Sequence, residues 1–368
     1  MINYEYTFLV YAEFFVGITV FGLVINTILL KFSKTLGIRD KENTMIRWSP
    51  ISKPAMGGIT FFMSFLVSTG CYGILFDPQE VFKNLEIICM ISALLLAFIM
   101  GLADDAYNTK PWLKFFIQLS CGLLLIFGSV QSGSEYNFII KFFEIDFLNY
   151  LITILWVVGI MNSINMLDNM DGITTVTSIF ILLTSLVFMG FQNSFESFDF
   201  LVVMGVVAAL FSFLFYNWSP AKMYMGDSGS QFIGLFLAII GIKYFWNSSI
   251  FNTNLVIHSK QIIIVLLVFI LPIVDTTSVF INRIARKQSP FIGGKDHTTH
   301  HLSFLGFNNT QIIFIFSGIA FLSSLISIII YRFVDYWSYL YVTLYGIYIL
   351  AIFITLYLTT QQHKELRK

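Results

Sequence analysis

The chain is dominated by long runs of apolar residues separated by short polar segments. A helix that crosses the hydrocarbon core of a bilayer needs about 20 mainly apolar residues. Eleven runs of this kind lie near residues 8–30, 57–76, 84–103, 112–130, 147–165, 173–191, 199–216, 229–247, 261–282, 311–331 and 336–358. The pattern predicts an all-α polytopic membrane protein with about 10–11 transmembrane helices, and we interpret residues 1–368 as a single integral-membrane domain.

Two of these runs need separate comment. The fifth is the weakest, because its apolar part is short and continues into Asn162 and Asn165. We expect a helix whose inner end faces a polar cavity, where polar groups are tolerated at membrane depth. The first run has no basic segment before it and no small-residue cleavage site, so we expect a retained helix rather than a signal peptide.

Composition agrees with the hydrophobic pattern. The chain is 57% hydrophobic and 11% charged, whereas soluble domains carry roughly 25% charged residues. Its formal net charge of zero argues against a nucleic-acid partner. The three cysteines have no CxxC spacing and are typical of small buried hydrophobic residues.

The basic residues are distributed unevenly between the two sides of the predicted membrane. The loops after odd-numbered runs, together with the C-terminal tail, hold 16 of the 21 Lys and Arg residues, and the other side holds 5. Cytoplasmic loops carry an excess of Lys and Arg. This bias predicts a cytoplasmic C-terminus and an N-terminus outside.

Five polar segments fall on the predicted cytoplasmic side, although they come from distant parts of the chain. We therefore expect them to converge on one cavity. They are Ser52–Gly58, Asp104–Asp105, Asn162–Gly172, Asn217–Ser230 and Arg283–His301. The last of these belongs to the longest predicted loop, 283–310, which is long enough to hold a short element of its own.

Adjacent aspartates end the third run. Asp104 and Asp105 cannot share one helix face, so at a helix end they can point at two targets, for example a metal ion and a proton. Lys114 follows and can meet phosphate charge. The alternative is a solvated helix end with an Asp–Lys pair. Aspartates near membrane depth are costly, which favours a functional site.

Polar residues recur every three positions at the end of the fifth run. Asn162, Asn165, Asp168 and Asp171 form a stripe that drifts slowly around one helix face. Amide and carboxylate groups of this kind can line a nucleotide and sugar site. The alternative is hydrogen bonding between membrane helices, although four such residues exceed what that role needs.

The segment Asn217–Ser230 places Asp227 between glycines at the predicted start of the eighth helix. Glycines let the backbone approach a ligand closely, and free backbone N–H groups from Ser228 to Ser230 can face an anion. Asp227 can hold a metal ion beside them. The alternative is a simple helix cap.

Three histidines lie close together in the last segment. His297, His300 and His301 have a spacing that can ligate zinc, but the nearby aspartates favour a hard ion that prefers oxygen ligands. We therefore favour contacts between these histidines and phosphate oxygens, with ordinary surface histidines as the alternative. Asp275 lies inside the ninth run, and we expect it to be a structural partner of a basic or hydroxyl group.

Taken together, these motifs resemble the polyprenyl-phosphate N-acetylhexosamine-1-phosphate transferases of glycosyltransferase family 4. The phospho-N-acetylmuramoyl-pentapeptide transferases of peptidoglycan synthesis are relatives. The motifs occur in the family order across most of the chain. They are Lys53–Gly58, Asp104–Asp105, Asn162–Gly172, Pro220–Ser230 and Asp296–His301.

The resemblance implies an enzyme of the cell inner membrane that begins a cell-envelope polysaccharide. It transfers a sugar-1-phosphate, first of all N-acetylglucosamine-1-phosphate, from a UDP-N-acetylhexosamine to undecaprenyl phosphate and releases UMP. The expected cofactor is Mg²⁺, with Mn²⁺ as an alternative. A homodimer is plausible from the resemblance alone.

The resemblance also assigns roles to residues. Asp104 and Asp105 correspond to the catalytic pair, and Asp227 with Asp105 to metal ligands. The remaining predicted positions contact the substrates. They are Lys53, Lys114, Asn162, Asn165, Asp168, Asp171, Asn217, His297, His300 and His301.

Two departures from the family pattern bear on the substrate. Many members have Asp-Gly where this chain has Asp168-Asn169, and the pentapeptide transferases tend to have three consecutive histidines. These differences favour a UDP-N-acetylhexosamine, with the muramoyl-pentapeptide substrate as an alternative. Direct attack by the lipid phosphate is favoured over a covalent aspartyl intermediate. A cation-coupled transporter is a further alternative, although no internal repeat supports it.

Overall fold

The computed structural model describes residues 4–33, 53–76, 81, 83–133, 138–248, 257–289, 294 and 296–362. Residues 34–52, which include Ser52 of the first polar segment, lie outside the described residues, as do Gly293 and Lys295 of the polar segment Arg283–His301. Within the described part of the chain there are thirteen α-helices and no strand. A lone parallel β-bridge joins Ala55 to Tyr224.

The helices follow the apolar runs closely. In chain order they are α1 (Tyr4–Ser33), α2 (Gly57–Leu75), α3 (Leu85–Tyr107), α4 (Pro111–Ser132), α5 (Asp146–Leu167), α6 (Ile173–Phe191), α7 (Phe198–Asn217), α8 (Gly226–Gly241, extended by a π-helical turn Ile242–Trp246), α9 (His258–Val268), α10 (Ile270–Ala285), α11 (Thr298–Phe304), α12 (Asn309–Phe333) and α13 (Tyr339–Gln362).

Ten of these helices are long and apolar enough to cross a membrane. The predicted all-α, multi-pass architecture is therefore confirmed, including the weak fifth span, which forms α5. The short helix α11 confirms that the loop 283–310 holds an element of its own. The orientation of the bundle stays a prediction.

The ninth predicted span is broken into two helices. Residues 261–282 are divided between α9 and α10, which meet at Phe269 with a bend of 81°. Pro272 lies in the first turn of α10. Proline has no N–H to donate to the carbonyl of Val268, and its ring clashes with that carbonyl in a continuous helix. A local break of this kind is invisible to an average over an apolar run.

The centre of the bundle is α8. Of its apolar window 94% is buried inside the protein, compared with 6% for α13. It packs against α2, α3 and α5, and apolar side chains such as Phe232 and Phe236 fill the space around it. Because α8 begins at Gly226, its first turn is the point where the surrounding helix ends meet.

Close backbone packing brings α3 against the start of α8. A Cβ atom at Gly101 would lie 2.3 Å from the carbonyl oxygen of Asp227 and 2.5 Å from Cα of Ser228. Both contacts are with backbone, which cannot move aside as a flexible side chain can. A glycine at position 101 is therefore required for the approach of the two helices.

We expect Gly101→Ala to destabilise the protein by roughly 1–3 kcal/mol, as overpacked cores do. The matched control is Gly70→Ala in α2, where a Cβ would meet nothing within 4 Å. There a helical alanine should be neutral or stabilise by up to about 1 kcal/mol. Thermal unfolding in detergent compares the variants, and equal midpoints would contradict the packing of α3 on α8.

Candidate active site

Asp105 links the end of α3 to the start of α8. Its Oδ1 accepts a hydrogen bond from the backbone N–H of Asp227 at 2.9 Å, and its Oδ2 accepts one from the backbone N–H of Ser228 at 2.9 Å. Two of the otherwise unpaired N–H groups of a helix N-terminus are thus satisfied by a carboxylate. The amide of Ser228, which we expected to face a ligand anion, instead donates to Asp105.

Asp104 points in a different direction from Asp105, as two adjacent residues at a helix end can. Its Oδ1 accepts hydrogen bonds from the backbone N–H of Thr109 at 2.7 Å and from the Thr109 hydroxyl at 2.6 Å. Its Oδ2 lies 2.5 Å from Nζ of Lys114. The side chain of Asp104 is therefore buried and fixed between the end of α3 and the start of α4.

Lys114 connects Asp104 to Asp227. Its Nζ lies 3.5 Å from Oδ1 of Asp227 as well as close to Asp104. Asn165 donates to the same Asp227 oxygen at 2.6 Å and to the hydroxyl of Ser230 at 2.8 Å. Asp227 is thus held by one cation and one amide, from two different helices.

The other asparagine of the stripe lies one turn deeper. Asn162 donates to Oε1 of Gln118 at 2.8 Å, and Nε2 of Gln118 donates to Gln231 at 3.0 Å. This amide cluster ties α4, α5 and α8 together, as hydrogen-bonded polar residues do between membrane helices. This geometry favours the helix-bridging alternative for Asn162, and its contact with a substrate stays a prediction. Gln231 is a member of the cluster that sequence reasoning missed.

Asp168 caps α5 next to the same cluster. Burial, and then the negative charge of Asp227, raise the pKa of Asp168 to about 7. Burial and neighbouring like charges both favour the neutral form of a carboxyl group. Asp168 therefore belongs to the same electrostatic group as Asp227 and Asp105.

Asp171 and Lys53 form a second small group. Oδ2 of Asp171 accepts the backbone N–H of Ala221 at 2.8 Å and lies 3.8 Å from Nζ of Lys53. Nζ of Lys53 also lies 5.2 Å from the centre of the Tyr224 ring. Tyr224 was not singled out from the sequence. It belongs to the polar segment before α8, and its backbone pairs with the segment before α2.

Asn217 uses its polar atoms to hold loops together. Its Oδ1 accepts hydrogen bonds from the backbone N–H of Gly172 at 3.0 Å and the hydroxyl of Thr175 at 2.8 Å. Its Nδ2 donates to the carbonyl oxygen of Met223 at 3.1 Å. This geometry favours a structural role, and contact between Asn217 and a nucleotide stays a prediction.

The histidine segment is fixed by two carboxylates. Asp275 accepts a hydrogen bond from His297 at 2.8 Å and from the hydroxyl of Thr298 at 2.7 Å, which confirms the expected structural partner. Asp296 pairs with Arg283 and Arg286. Burial alone would raise the pKa of Asp296, but hydrogen bonds from the two guanidinium groups hold it below its ordinary value.

The remaining two histidines are buried in α11. Burial, and then the neighbouring His297, lower the pKa of His300 to about 4, so His300 is neutral at physiological pH. The residue before His300 links α11 to the end of α5. The Thr299 hydroxyl donates a hydrogen bond to Oδ1 of Asn169 at 2.5 Å. The residue that departs from the family's Asp-Gly pattern thus makes a contact that glycine cannot make.

The donor set fits a hard divalent cation better than zinc. Among the described residues, no three His, Cys, Asp or Glu side chains are grouped closely enough to form a ligand set alone, so the zinc alternative has no support. Magnesium is usually held by one or two carboxylates together with substrate phosphates. Asp227 and Asp168 have the required oxygen donors, whereas both oxygens of Asp105 already accept backbone hydrogen bonds.

The raised pKa of Asp168 predicts how the stability of the protein depends on pH. The measurement is made with a chelator present, so that no bound metal ion changes the charge at the site. An unfolded aspartate has a pKa of about 3.9, so the folded state binds protons more tightly and is favoured at lower pH. Stability should fall as the pH rises from about 4 through about 7. We expect a smaller fall for Asp168→Asn in thermal unfolding between pH 5.5 and 8.

Asp146→Asn, which changes an aspartate with 69% of its side chain exposed, is the matched control and should keep the wild-type pH dependence. The same pH dependence in Asp168→Asn and the wild type would contradict the crowding of carboxylates around Asp168.

Comparison with known proteins shows which family the chain resembles. Residues 87–245 match the model of Glycosyl transferase family 4. A "Probable undecaprenyl-phosphate N-acetylglucosaminyl 1-phosphate transferase" of Bacillus subtilis (strain 168) is 28% identical over 332 residues, which is 90% of this chain and 86% of that protein. A "Phospho-N-acetylmuramoyl-pentapeptide-transferase" of Helicobacter hepaticus is 28% identical over 313 residues, which is 75% of this chain and 80% of that protein. The region similar to Glycosyl transferase family 4, residues 87–245, thus contains all five predicted aspartates.

Proposed function

We propose that this protein transfers N-acetylhexosamine-1-phosphate, first of all N-acetylglucosamine-1-phosphate, from a UDP-sugar to undecaprenyl phosphate and releases UMP. The observation that carries the proposal is the carboxylate cluster at the start of α8. Lys114 contacts Asp104 and Asp227. Asp105 accepts the backbone N–H of Asp227, and burial and the charge of Asp227 raise the pKa of Asp168. A site with this excess of negative charge is suited to a cation that in turn attracts phosphates.

Asp227 and Asp168 are the residues that would hold a divalent cation, Mg²⁺ in the first place. When bound, such a cation offsets the charge of the diphosphate and of the leaving UMP. The Asp105 carboxylate positions Asp227 by accepting the backbone N–H groups of Asp227 and Ser228, rather than by contacting the Asp227 side chain. Asn165 and Lys114 orient the Asp227 carboxylate by contacts of 2.6 and 3.5 Å with one of its oxygens.

The geometry supports direct displacement over a covalent aspartyl intermediate. Both oxygens of Asp105 accept backbone hydrogen bonds, and both oxygens of Asp104 are occupied by Thr109 and Lys114. Hydrogen bonds and ion pairs of this kind lower the nucleophilicity of both carboxylates, which favours the direct route. In the direct route an oxygen of the lipid phosphate forms a bond to the β-phosphorus of the UDP-sugar. The bond from that phosphorus to the bridging oxygen breaks, and UMP leaves with the electron pair.

The sugar is the finer part of the proposal. The relative that covers 90% of this chain is named for N-acetylglucosaminyl 1-phosphate transfer. Several relatives with shorter coverage are named for the muramoyl-pentapeptide reaction, which we keep as the second candidate. The family match and the placement of the polar residues at helix ends both weigh against the transporter alternative.

Lipid access and orientation complete the proposal. The isoprenoid tail stays in the bilayer and reaches the site between helices, with the site on the cytoplasmic side, as the bias of Lys and Arg predicts. His297, His300 and His301 would lie towards the diphosphate or sugar, and Lys53 and Asp171 towards the nucleotide. A homodimer remains an expectation from the family resemblance.

We expect purified protein in lipid to release UMP from UDP-N-acetylglucosamine only when both undecaprenyl phosphate and Mg²⁺ are present. Asp227→Asn keeps the size of the side chain but removes its charge. It should lower the rate by at least about 100-fold, the scale on which loss of one stabilising electrostatic group acts. UMP is measured by chromatography.

Asp146→Asn is the control, because Asp146 lies at the start of α5, whereas the candidate site lies at the other end of that helix, at Leu167. The control should keep the wild-type rate. Release with UDP-N-acetylmuramoyl-pentapeptide and not with UDP-N-acetylglucosamine would favour the second candidate. Release from neither, or a rate unchanged in Asp227→Asn, would contradict the proposal.

A further inference from the structure

On the basis of the transferase function above, we propose that Asp275 is a positioning residue that fixes the tautomer and ring orientation of His297. Asp275 lies within α10, and His297 precedes α11, 22 residues later in the chain. The two side chains are 1% and 8% exposed. Their contact is therefore shielded from water, where one hydrogen bond controls orientation strongly.

The hydrogen bonds of Asp275 leave one possible tautomer for a neutral His297. Oδ1 of Asp275 accepts the backbone N–H and the hydroxyl of Thr298, at 2.8 and 2.7 Å. Oδ2 of Asp275 lies 2.8 Å from Nδ1 of His297. An ionised carboxylate can only accept hydrogen bonds. Nδ1 must therefore carry the proton, and Nε2 of the neutral ring has the free lone pair.

Two contacts on the C-terminal side of His297 hold the chain segment that bears the ring. Thr298 is held against α10 by Asp275, and the hydroxyl of Thr299 donates to Asn169 in the loop after α5. His297 thus begins a helix whose first two residues are anchored to two different elements. Among the described residues, the hydrogen bond of His297 is made through Nδ1, so the lone pair of Nε2 is left to accept a hydrogen bond from a substrate hydroxyl group.

Proteins often fix a functional histidine in this way: a carboxylate binds one ring nitrogen and so sets the tautomer and orientation in which the other nitrogen acts. Here the carboxylate comes from the helix after the 81° break at Phe269. The broken span therefore has a consequence for the chemistry, because α10 brings Asp275 to the segment that bears His297. Asp275 contacts no reacting atom itself and acts through the imidazole.

Asp275→Asn tests the tautomer while preserving size. The amide oxygen can still accept the two hydrogen bonds from Thr298, but its NH₂ group now faces Nδ1 of His297. A donor at that position requires a lone pair on Nδ1 and so moves the proton to Nε2. We expect kcat for UMP release to fall by about 10–100-fold, the range found when outer partners of a functional histidine are removed, with KM for the UDP-sugar changed by less than about 3-fold.

Thr298→Val is the matched control for a purely structural role. It removes a hydroxyl hydrogen bond to the same carboxylate but leaves the pair of Asp275 and His297 in place. Its kcat should stay within about 3-fold of the wild type. A loss equal to that of Asp275→Asn would show that Asp275 only anchors α11, and would overturn the proposal.

A spectroscopic readout decides the pairing independently of activity. In protein with ¹⁵N-labelled histidine, the ring nitrogen shifts distinguish the Nδ1–H from the Nε2–H tautomer, and His297→Gln identifies the signals of His297 among the five histidines. We expect the Nδ1–H form in the wild type and in Thr298→Val, and the Nε2–H form in Asp275→Asn.

An unchanged tautomer in Asp275→Asn would overturn the inference, as would a changed tautomer without loss of kcat. If the wild type released no UMP, the transferase proposal would fail first, and the ¹⁵N spectra would still decide whether Asp275 fixes the His297 ring.

Discussion

The structure depends on one interaction, the hydrogen bonds from the first amides of α8 to the Asp105 carboxylate. A helix N-terminus at the centre of a membrane protein exposes unpaired N–H groups, which are costly away from water. Asp105 satisfies those of Asp227 and Ser228. The approach is possible only because residue 101, one turn earlier in α3, is glycine. The start of α8 is thereby fixed relative to α3, and Asp227 is placed beside Lys114 and Asn165.

This arrangement leaves negative charge that the described residues do not balance. Lys114 is shared between Asp104 and Asp227, and Asp168 is crowded enough that its pKa rises to about 7. A bound divalent cation would relieve the crowding, and it is also what two phosphate substrates need in order to approach each other. The same excess charge that makes the site costly without ligands therefore makes it suitable for phosphoryl transfer.

The sequence was informative where a pattern extends over many residues. The average apolarity of each run predicted the helices, and the placement of polar segments at helix ends predicted that Asp105, Asn165 and Asp227 meet. Local chemistry was harder to predict. The break at Phe269 depends on one proline, Pro272, whose effect an average conceals.

The sequence does not show which residues distant in the chain form hydrogen bonds with each other. Nothing in the spacing of Asp275 and His297 requires contact, and nothing distinguishes Asn217, which holds loops together, from an asparagine that faces a ligand. Asn169 is an intermediate case. It was visible as a departure from the family pattern, but its hydrogen bond to Thr299 required the placement of α11.

The most direct test of the carboxylate cluster is Mn²⁺ binding by the wild type, Asp227→Asn and Asp146→Asn in lipid nanodiscs, followed by electron paramagnetic resonance with UDP-N-acetylglucosamine present. We expect one Mn²⁺ per chain, displaced by Mg²⁺, with affinity at least about 10-fold weaker in Asp227→Asn and unchanged in Asp146→Asn. Equal affinity in all three proteins, or no bound Mn²⁺ in the wild type, would contradict it.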